Sequence, residues 1–237
     1  MANIYMMGDS TMRLNNYLYY PQTGWGQVLY MFTKPDVLVF DHAENGRSSK
    51  SFIDEKRFDA ILEQLQEGDF VICQFGHNDE KPDLVRHTEP FTTYIDNLAY
   101  YAQKVEEKGA TIVYATSITR HKFVDGKCIN THGDYPTAML EYCKKSNHVC
   151  VDLNTLTIEH YNDIGEEKSA KYHMIFKENE YLNYIEGKDD HSHLVYEGAL
   201  MVARLFVSEL SKTNSKLNDL FINITQKAFI DEKMLKD

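Results

Sequence analysis

Five short apolar runs rich in β-forming residues, Asn3–Met7, Val37–Phe40, Phe70–Phe75, Thr111–Ala115 and Val149–Leu153, recur along the chain and are separated by longer stretches of helical period. Between the second and third runs the period is carried by Ile53, Phe58, Ile61, Leu62 and Leu65; between the third and fourth it is carried by Tyr94, Ile95, Leu98, Tyr101, Ala102 and Val105. Near-continuous apolar runs indicate strands buried on both faces, and parallel strands need long crossovers. The alternation therefore predicts an α/β fold with a five-stranded parallel sheet covered by helices on both sides. Gly68-Asp69 and Gly109-Ala110 punctuate the passage from helix to strand, as a left-handed helix stop does. In such a sheet a ligand site forms at the carboxyl ends of the strands. Ser10 follows the first run, Asn45-Gly46 the second and Gly76-His77-Asn78-Asp79 the third, so all three polar clusters are expected on one edge.

A chain of 237 residues can bury one sizeable core, and a single domain over residues 1–212 is expected. From Gly165 to Lys188 the strand and helix signals weaken, which reads as an excursion that is either a lid or a packed loop. Over residues 213–237, Leu217, Leu220, Phe221, Ile224 and Ala228 recur at helical spacing and predict an amphipathic helical extension of the same domain. Packing onto its own domain is preferred to a subunit interface for this face, which leaves a homo-oligomer open. Trp25 is expected to anchor the first helix to the sheet.

A formal net charge of −11 repels a phosphate backbone and argues against nucleic-acid binding. Cys73, Cys128, Cys143 and Cys150 form no Cys-x-x-Cys pair and are expected as reduced, mostly buried thiols. The sequence enters a strand pattern at once, without the cationic and apolar regions of a secretory signal, so a cytoplasmic location is expected. No apolar run approaches the ~20 residues that span a bilayer, and no membrane partner is expected.

Gly8-Asp9-Ser10-Thr11 near one end and Asp190-His191-Ser192-His193 near the other contain the parts of a serine-hydrolase site. A serine hydroxyl is a weak nucleophile unless an imidazole takes its proton and a carboxylate holds that imidazole in one tautomer. Ser10, His193 and Asp190 fit those roles, Asp190 being preferred over Asp189 because its shorter reach lets it accept the imidazole Nδ1–H. Asp189 is expected to be solvated. Taken alone, a serine such as Ser10 is more commonly a helix N-cap. Asp189, Asp190, His191 and His193 also crowd metal-type ligands together, but no second ligand motif such as His-Glu-x-x-His accompanies them, so no metal and no cofactor are called for. A Gly-x-Ser-x-Gly elbow, a complete dinucleotide fingerprint and a Gly-x-x-x-x-Gly-Lys loop do not occur. Asp9 and Asp79 are expected to brace loops by accepting backbone N–H bonds.

Gly8-Asp9-Ser10, Gly46, Gly76-His77-Asn78-Asp79 and Asp190-x-x-His193 resemble, in order and spacing, the four blocks of the SGNH (GDSL-like) hydrolase superfamily. The wording of Thr23-Gly24-Trp25-Gly26-Gln27, Asn45-Gly46-Arg47-Ser48-Ser49, Thr131-His132-Gly133-Asp134-Tyr135-Pro136 and Gly187-Lys188-Asp189-Asp190 is similar to its rhamnogalacturonan acetylesterase branch, over roughly residues 3–210. The resemblance implies a flavodoxin-like three-layer α/β/α fold, Ser10 as nucleophile, and an oxyanion hole from the backbone N–H groups of Ser10 and Gly46 and the side chain of Asn78. Neutral donors fixed in advance suit that task, since losing one typically costs about 2.7–4 kcal/mol in the barrier. His191 stands where the branch commonly has asparagine; it is either a bystander or a substrate contact.

The resemblance further implies deacetylation of O-acetylated, pectin-derived oligosaccharides. A short-chain esterase, thioesterase or lysophospholipase would use the same triad, and a non-catalytic carbohydrate-binding protein is the alternative of another class. Uronate-rich substrates are anionic, as is the chain, so local cations are needed. Arg47, Lys50, Lys81, Arg86, Arg120, His121 and Lys122 follow the motif blocks and are candidates, with ordinary surface charge the competing explanation. Together with His77 and His191, Arg47 and Lys81 are the side chains expected nearest the substrate.

Overall fold

A computed structural model describes residues 2–223. Strand β1 (Ile4–Gly8) leads to helix α1 (Trp25–Leu29), β2 (Val39–Asp41), α2 (Ser49–Asp54), α3 (Arg57–Gln64), β3 (Phe70–Gln74), α4 (Thr93–Glu107) and β4 (Thr111–Ala115). A small hairpin, β5 (Phe123–Val124) with β6 (Lys127–Cys128), precedes α5 (Tyr135–Ser146), β7 (Cys150–Val151), α6 (Leu153–Ile164) and α7 (Glu166–Ser169). A second hairpin, β8 (His173–Phe176) with β9 (Lys188–Leu194), leads into α8 (Tyr196–Leu210).

The five-stranded sheet is parallel throughout, in the order β2-β1-β3-β4-β7. Its two faces follow from the period of two in each strand. Ile4, Met6, Phe70, Ile72, Val113 and Ala115 point to one side, where Trp25 and Leu29 of α1, Leu153 of α6 and Val202, Ala203 and Phe206 of α8 close the core. Tyr5, Met7, Val71, Cys73, Ile112 and Tyr114 point to the other, beneath Phe52 of α2, Phe58 of α3, Leu98 and Tyr101 of α4 and Met139 of α5. Both faces are buried, as the unbroken apolar runs require, and the expected three-layer fold is the one observed.

Local chemistry moves several boundaries. The run at Val37–Phe40 pairs only from Val39, and Val149–Leu153 shortens to Cys150–Val151 because Asp152 caps α6, accepting from the Thr155 N–H at 3.2 Å. The helical period from Ile53 to Leu65 is split into two helices at Lys56, whose φ of +57° is left-handed. The excursion at Gly165–Lys188 contains α7, a 3₁₀ turn at Ala170–Tyr172 and strand β8, so it is more ordered than its sequence suggests. In the tail, Lys216–Leu220 is a single 3₁₀ turn capped by Ser215, and Phe221 pairs with Thr33 instead of continuing as a helix. Leu217 and Phe221 are drawn into the core beside α1 and α8. The rest of the expected extension, including Ile224 and Ala228, lies outside the described residues.

Candidate active site

Ser10 follows β1, which lies between β2 and β3 in the sheet, so the loops after all three strands meet at one edge. This is where the order reverses in a 2-1-3-4-5 sheet and where a crevice opens. The turn holding Ser10 is fixed from below. Buried Asp9 accepts from the Thr11 N–H at 2.9 Å and the Thr11 hydroxyl at 2.8 Å. The Gln74 amide donates to that hydroxyl at 2.7 Å, and its carbonyl accepts from the Trp25 indole N–H at 2.8 Å. Gly8 permits the close approach of the two strands, since a Cβ there would come 2.6 Å from the Gln74 carbonyl oxygen.

The opposing residues come from a disruption in β9. His173 pairs with Leu194 while the next residue, Met174, pairs with Asp190, so His191, Ser192 and His193 are looped out of register. The Asp190 carboxylate closes this bulge: its Oδ1 accepts from the N–H groups of Ser192 at 2.9 Å and His193 at 3.0 Å. Its Oδ2 lies 2.8 Å from His193 Nδ1, and His193 Nε2 lies 2.9 Å from Ser10 Oγ. One carboxylate thus folds the bulge and orients the ring. Burial pushes the Asp190 carboxyl up, but the hydrogen bond and charge of His193 and the two backbone donors outweigh it and hold the group well below the usual carboxylate range. A carboxylate that stays ionised keeps Nδ1–H as donor and leaves Nε2 free to accept from the serine hydroxyl.

Gly46 has φ of +73°, left-handed backbone open to glycine, with open space where a Cβ would stand. The neighbouring Arg47 carbonyl accepts from Asn78 Nδ2 at 3.1 Å, which ties the loop after β2 to the loop after β3. Buried Asp79 holds the same junction by accepting from the Ser49 N–H at 3.0 Å and from the hydroxyls of Ser49 and Thr88. Burial nevertheless pushes its carboxyl up to about 7. Asp9 and Asp79 therefore brace loops, as their positions suggested.

The other expected substrate neighbours separate. Arg47 turns onto Glu55, at 2.9 Å from both Nε and Nη2, and onto the Asn45 carbonyl. His77 is buried edge-on against His132, with ring centroids 4.2 Å apart; burial holds it well below the usual imidazole range, and its Nε2 has no partner among the described residues. Lys81 is half-buried with no ion pair among the described residues. His191 lies 3.3 Å, Nδ1 to Nδ1, from His121. Asp189 is 81 % exposed, in keeping with a solvated carboxylate, and its Oδ1 lies 3.1 Å from His191 Nε2. Among the described residues no group of three or more His, Cys, Asp or Glu side chains is arranged to hold a metal ion.

Two structural contributors were missed from sequence. Gln74 had a visible signal, a carboxamide ending an otherwise apolar strand, which marks a buried polar group that must find partners. The Glu80, Arg120 and His132 cluster, in which Glu80 accepts from Arg120 and lies 3.3 Å from His132 Nδ1, had none, because its members come from separate loops.

No protein-family model matches the sequence. The chain is 36 % identical over 221 residues to the rhamnogalacturonan acetylesterase RhgT of Bacillus subtilis (strain 168), covering 93 % of this chain and 94 % of that one. It is 34 % identical over 230 residues to the probable rhamnogalacturonan acetylesterase YesY of the same organism, covering 94 % and 99 %. The solved structure of the Bacillus subtilis protein YXIM superposes with a TM-score of 0.76 at 26 % identity, over 89 % of this chain and 56 % of that chain.

Proposed function

The chain belongs to the rhamnogalacturonan acetylesterase family of SGNH hydrolases, and we propose that it is a serine esterase removing acetyl groups from O-acetylated, pectin-derived oligosaccharides. The observation that carries the mechanism is the continuous relay Asp190–His193–Ser10, with contacts of 2.8 and 2.9 Å. Ser10 Oγ attacks the acetyl carbonyl while His193 Nε2 takes its proton. The negative charge that develops on the carbonyl oxygen is received by the N–H groups of Ser10 and Gly46 and by the Asn78 amide. Collapse of the tetrahedral intermediate expels the sugar oxygen, which takes the proton back from His193 and leaves acetyl-Ser10. Water, deprotonated by the same imidazole, then releases acetate.

One further reading accompanies this one. The four free thiols suit a reducing compartment, so a cytoplasmic enzyme acting on short imported oligosaccharides is proposed. Among the described residues no helix is long and apolar enough to cross a membrane. The direct test screens acetylated oligosaccharides against p-nitrophenyl esters of rising chain length, using wild type and Ser10→Ala in parallel. Acetate release from the sugars by wild type, lost by at least about 10³-fold in Ser10→Ala, is expected. Preference for long acyl chains, or a Ser10→Ala enzyme as active as wild type, would overturn the reading.

A further inference from the structure

A cavity of about 660 Å³ opens at the looped-out segment of β9, lined in part by Arg120, His121, Lys122, Asn130, Glu166 and His191. Its volume falls within the range of small-ligand pockets, about 300–1,000 Å³. His191 belongs to the same looped-out segment as His193, and consecutive Cα atoms lie about 3.8 Å apart, so this wall cannot be far from Ser10. The chain is strongly acidic, with a net charge of −11, so any anionic ligand must be drawn in by local cations.

Sorting those cations by their partners leaves Lys81 and Lys122, of which only Lys122 lines the cavity. Arg47 is held by Glu55, Lys50 by Asp54, Arg86 by Asp83 and Arg120 by Glu80. Lys122 lines the cavity, is exposed, and has no carboxylate partner among the described residues. The two imidazoles on the same lining, His121 and His191, are ordered by their contacts. His121 Nε2 lies 3.0 Å from Ser169 Oγ, whose hydroxyl can donate to it. His121 Nδ1 then donates across the 3.3 Å contact to His191 Nδ1, which leaves the His191 proton on Nε2. The outer nitrogen of His191 faces the Asp189 carboxylate at 3.1 Å. Asp189 is solvated and is paired with nothing else among the described residues, so it holds a carboxylate where an exchangeable one can sit.

We propose that this cavity is the subsite for a uronate carboxylate of the substrate, received by Lys122 and by His191 Nε2 in place of Asp189, with Asn130 on the wall. It rests on the acetylesterase reading and deepens it, by making the sugar's negative charge a recognised feature and not merely a tolerated one. Glu166, the remaining carboxylate on the lining, opposes binding, whereas the Arg120 charge is already offset by Glu80.

The test compares kcat/KM on an acetylated uronate-containing oligosaccharide with that on the same oligosaccharide after methyl esterification of its carboxyls. The charged-to-neutral ratio is expected to fall about tenfold in Lys122→Gln, through KM, which is the size of one charge-assisted hydrogen bond. It is expected to rise about threefold in Asp189→Asn, which removes the competing carboxylate. Opposite shifts in two exposed positions are not produced by misfolding. Raising salt from about 20 mM to about 500 mM should compress the wild-type ratio and leave that of Lys122→Gln less affected. A Lys122→Gln ratio within twofold of wild type would overturn the subsite while leaving the esterase reading intact. Failure of the wild type to deacetylate either oligosaccharide, with p-nitrophenyl acetate still cleaved, would instead overturn the saccharide reading itself.

Discussion

Replacing Asp190 by asparagine isolates its effect on the tautomer from its effect on the fold. Oδ1 accepts two backbone N–H groups, from Ser192 at 2.9 Å and His193 at 3.0 Å, and only an oxygen can occupy that place. In Asp190→Asn the amide oxygen therefore stays with the bulge, and the NH₂ group falls where Oδ2 now lies, 2.8 Å from His193 Nδ1. A donor at that point forces Nδ1 to become the acceptor and moves the ring proton to Nε2. There it faces Ser10 Oγ at 2.9 Å and cannot take the serine proton. The expected loss is about 10³–10⁴ in kcat, equal to about 4–5.5 kcal/mol, with KM little altered. Urea denaturation should show the variant within about 1 kcal/mol of wild type, because the bulge keeps its acceptor. Asp190→Ala removes both bulge bonds and should lose about 1–3 kcal/mol of stability besides activity. Steady-state kinetics on p-nitrophenyl acetate, paired with the denaturation curves, separates the two. An Asp190→Asn enzyme within tenfold of wild type, or one as unstable as Asp190→Ala, would refute the tautomer argument.

Asn78→Ala should lower kcat by about 10²–10³ with little change in KM, the cost of one oxyanion donor; unaltered kcat would remove Asn78 from that role. Gln74→Leu leaves the buried Trp25 indole N–H without its acceptor and should lower stability in urea by about 1–3 kcal/mol; an unchanged midpoint would mean that this brace is dispensable. His173, buried at 1 % exposure, is pushed down to about 3 by burial and then by the charges of His121 and His191. It stays neutral in the fold while the unfolded chain takes up a proton below about 6.5, so its contribution to stability falls as pH drops from about 6.5 to about 3, by up to about 1.4 kcal/mol per pH unit. The Asp190 contribution has the opposite origin, a depressed carboxylate, and is lost only as pH falls below the ordinary carboxylate range. Denaturation curves taken between pH 7 and pH 4 should therefore show a slope that His173→Gln flattens; an equal slope in the variant would place the acid sensitivity elsewhere.

The fold was legible because its determinants are repetitive. A run such as Phe70-Val71-Ile72-Cys73 has no polar face to leave in water, and five such runs separated by helical periods admit few arrangements other than a covered parallel sheet. Boundaries were less legible where a single residue overrides a periodic pattern, as Lys56 does in splitting one predicted helix and Asp152 in ending the last strand. The tail shows the same limit. Leu217 and Phe221 have helical spacing, yet core burial and pairing with Thr33 favour a tight turn followed by extended chain, because a short isolated helix has little stability of its own.

For the site, the split lies between residue identity and the mechanism of placement. Ser10, Asp190 and His193 could be named because each reactive group has a narrow set of chemical partners. What brings His193 to Ser10 is the bulge in β9, and no residue type encodes it, since Asp-His-Ser-His is as compatible with a plain loop as with a strand that loses register. The bulge becomes intelligible only through the second oxygen of Asp190, which satisfies two backbone donors that the broken pairing would leave exposed. The same displacement sets His191 against His121 and opens a cavity whose one unpaired lysine, among the described residues, is supplied by the loop after β4. Relay geometry and the proposed charge recognition therefore share a single cause. A change that restored regular pairing between β8 and β9 would move both imidazoles at once, so transition-state stabilisation and uronate selectivity should be lost together and not one at a time.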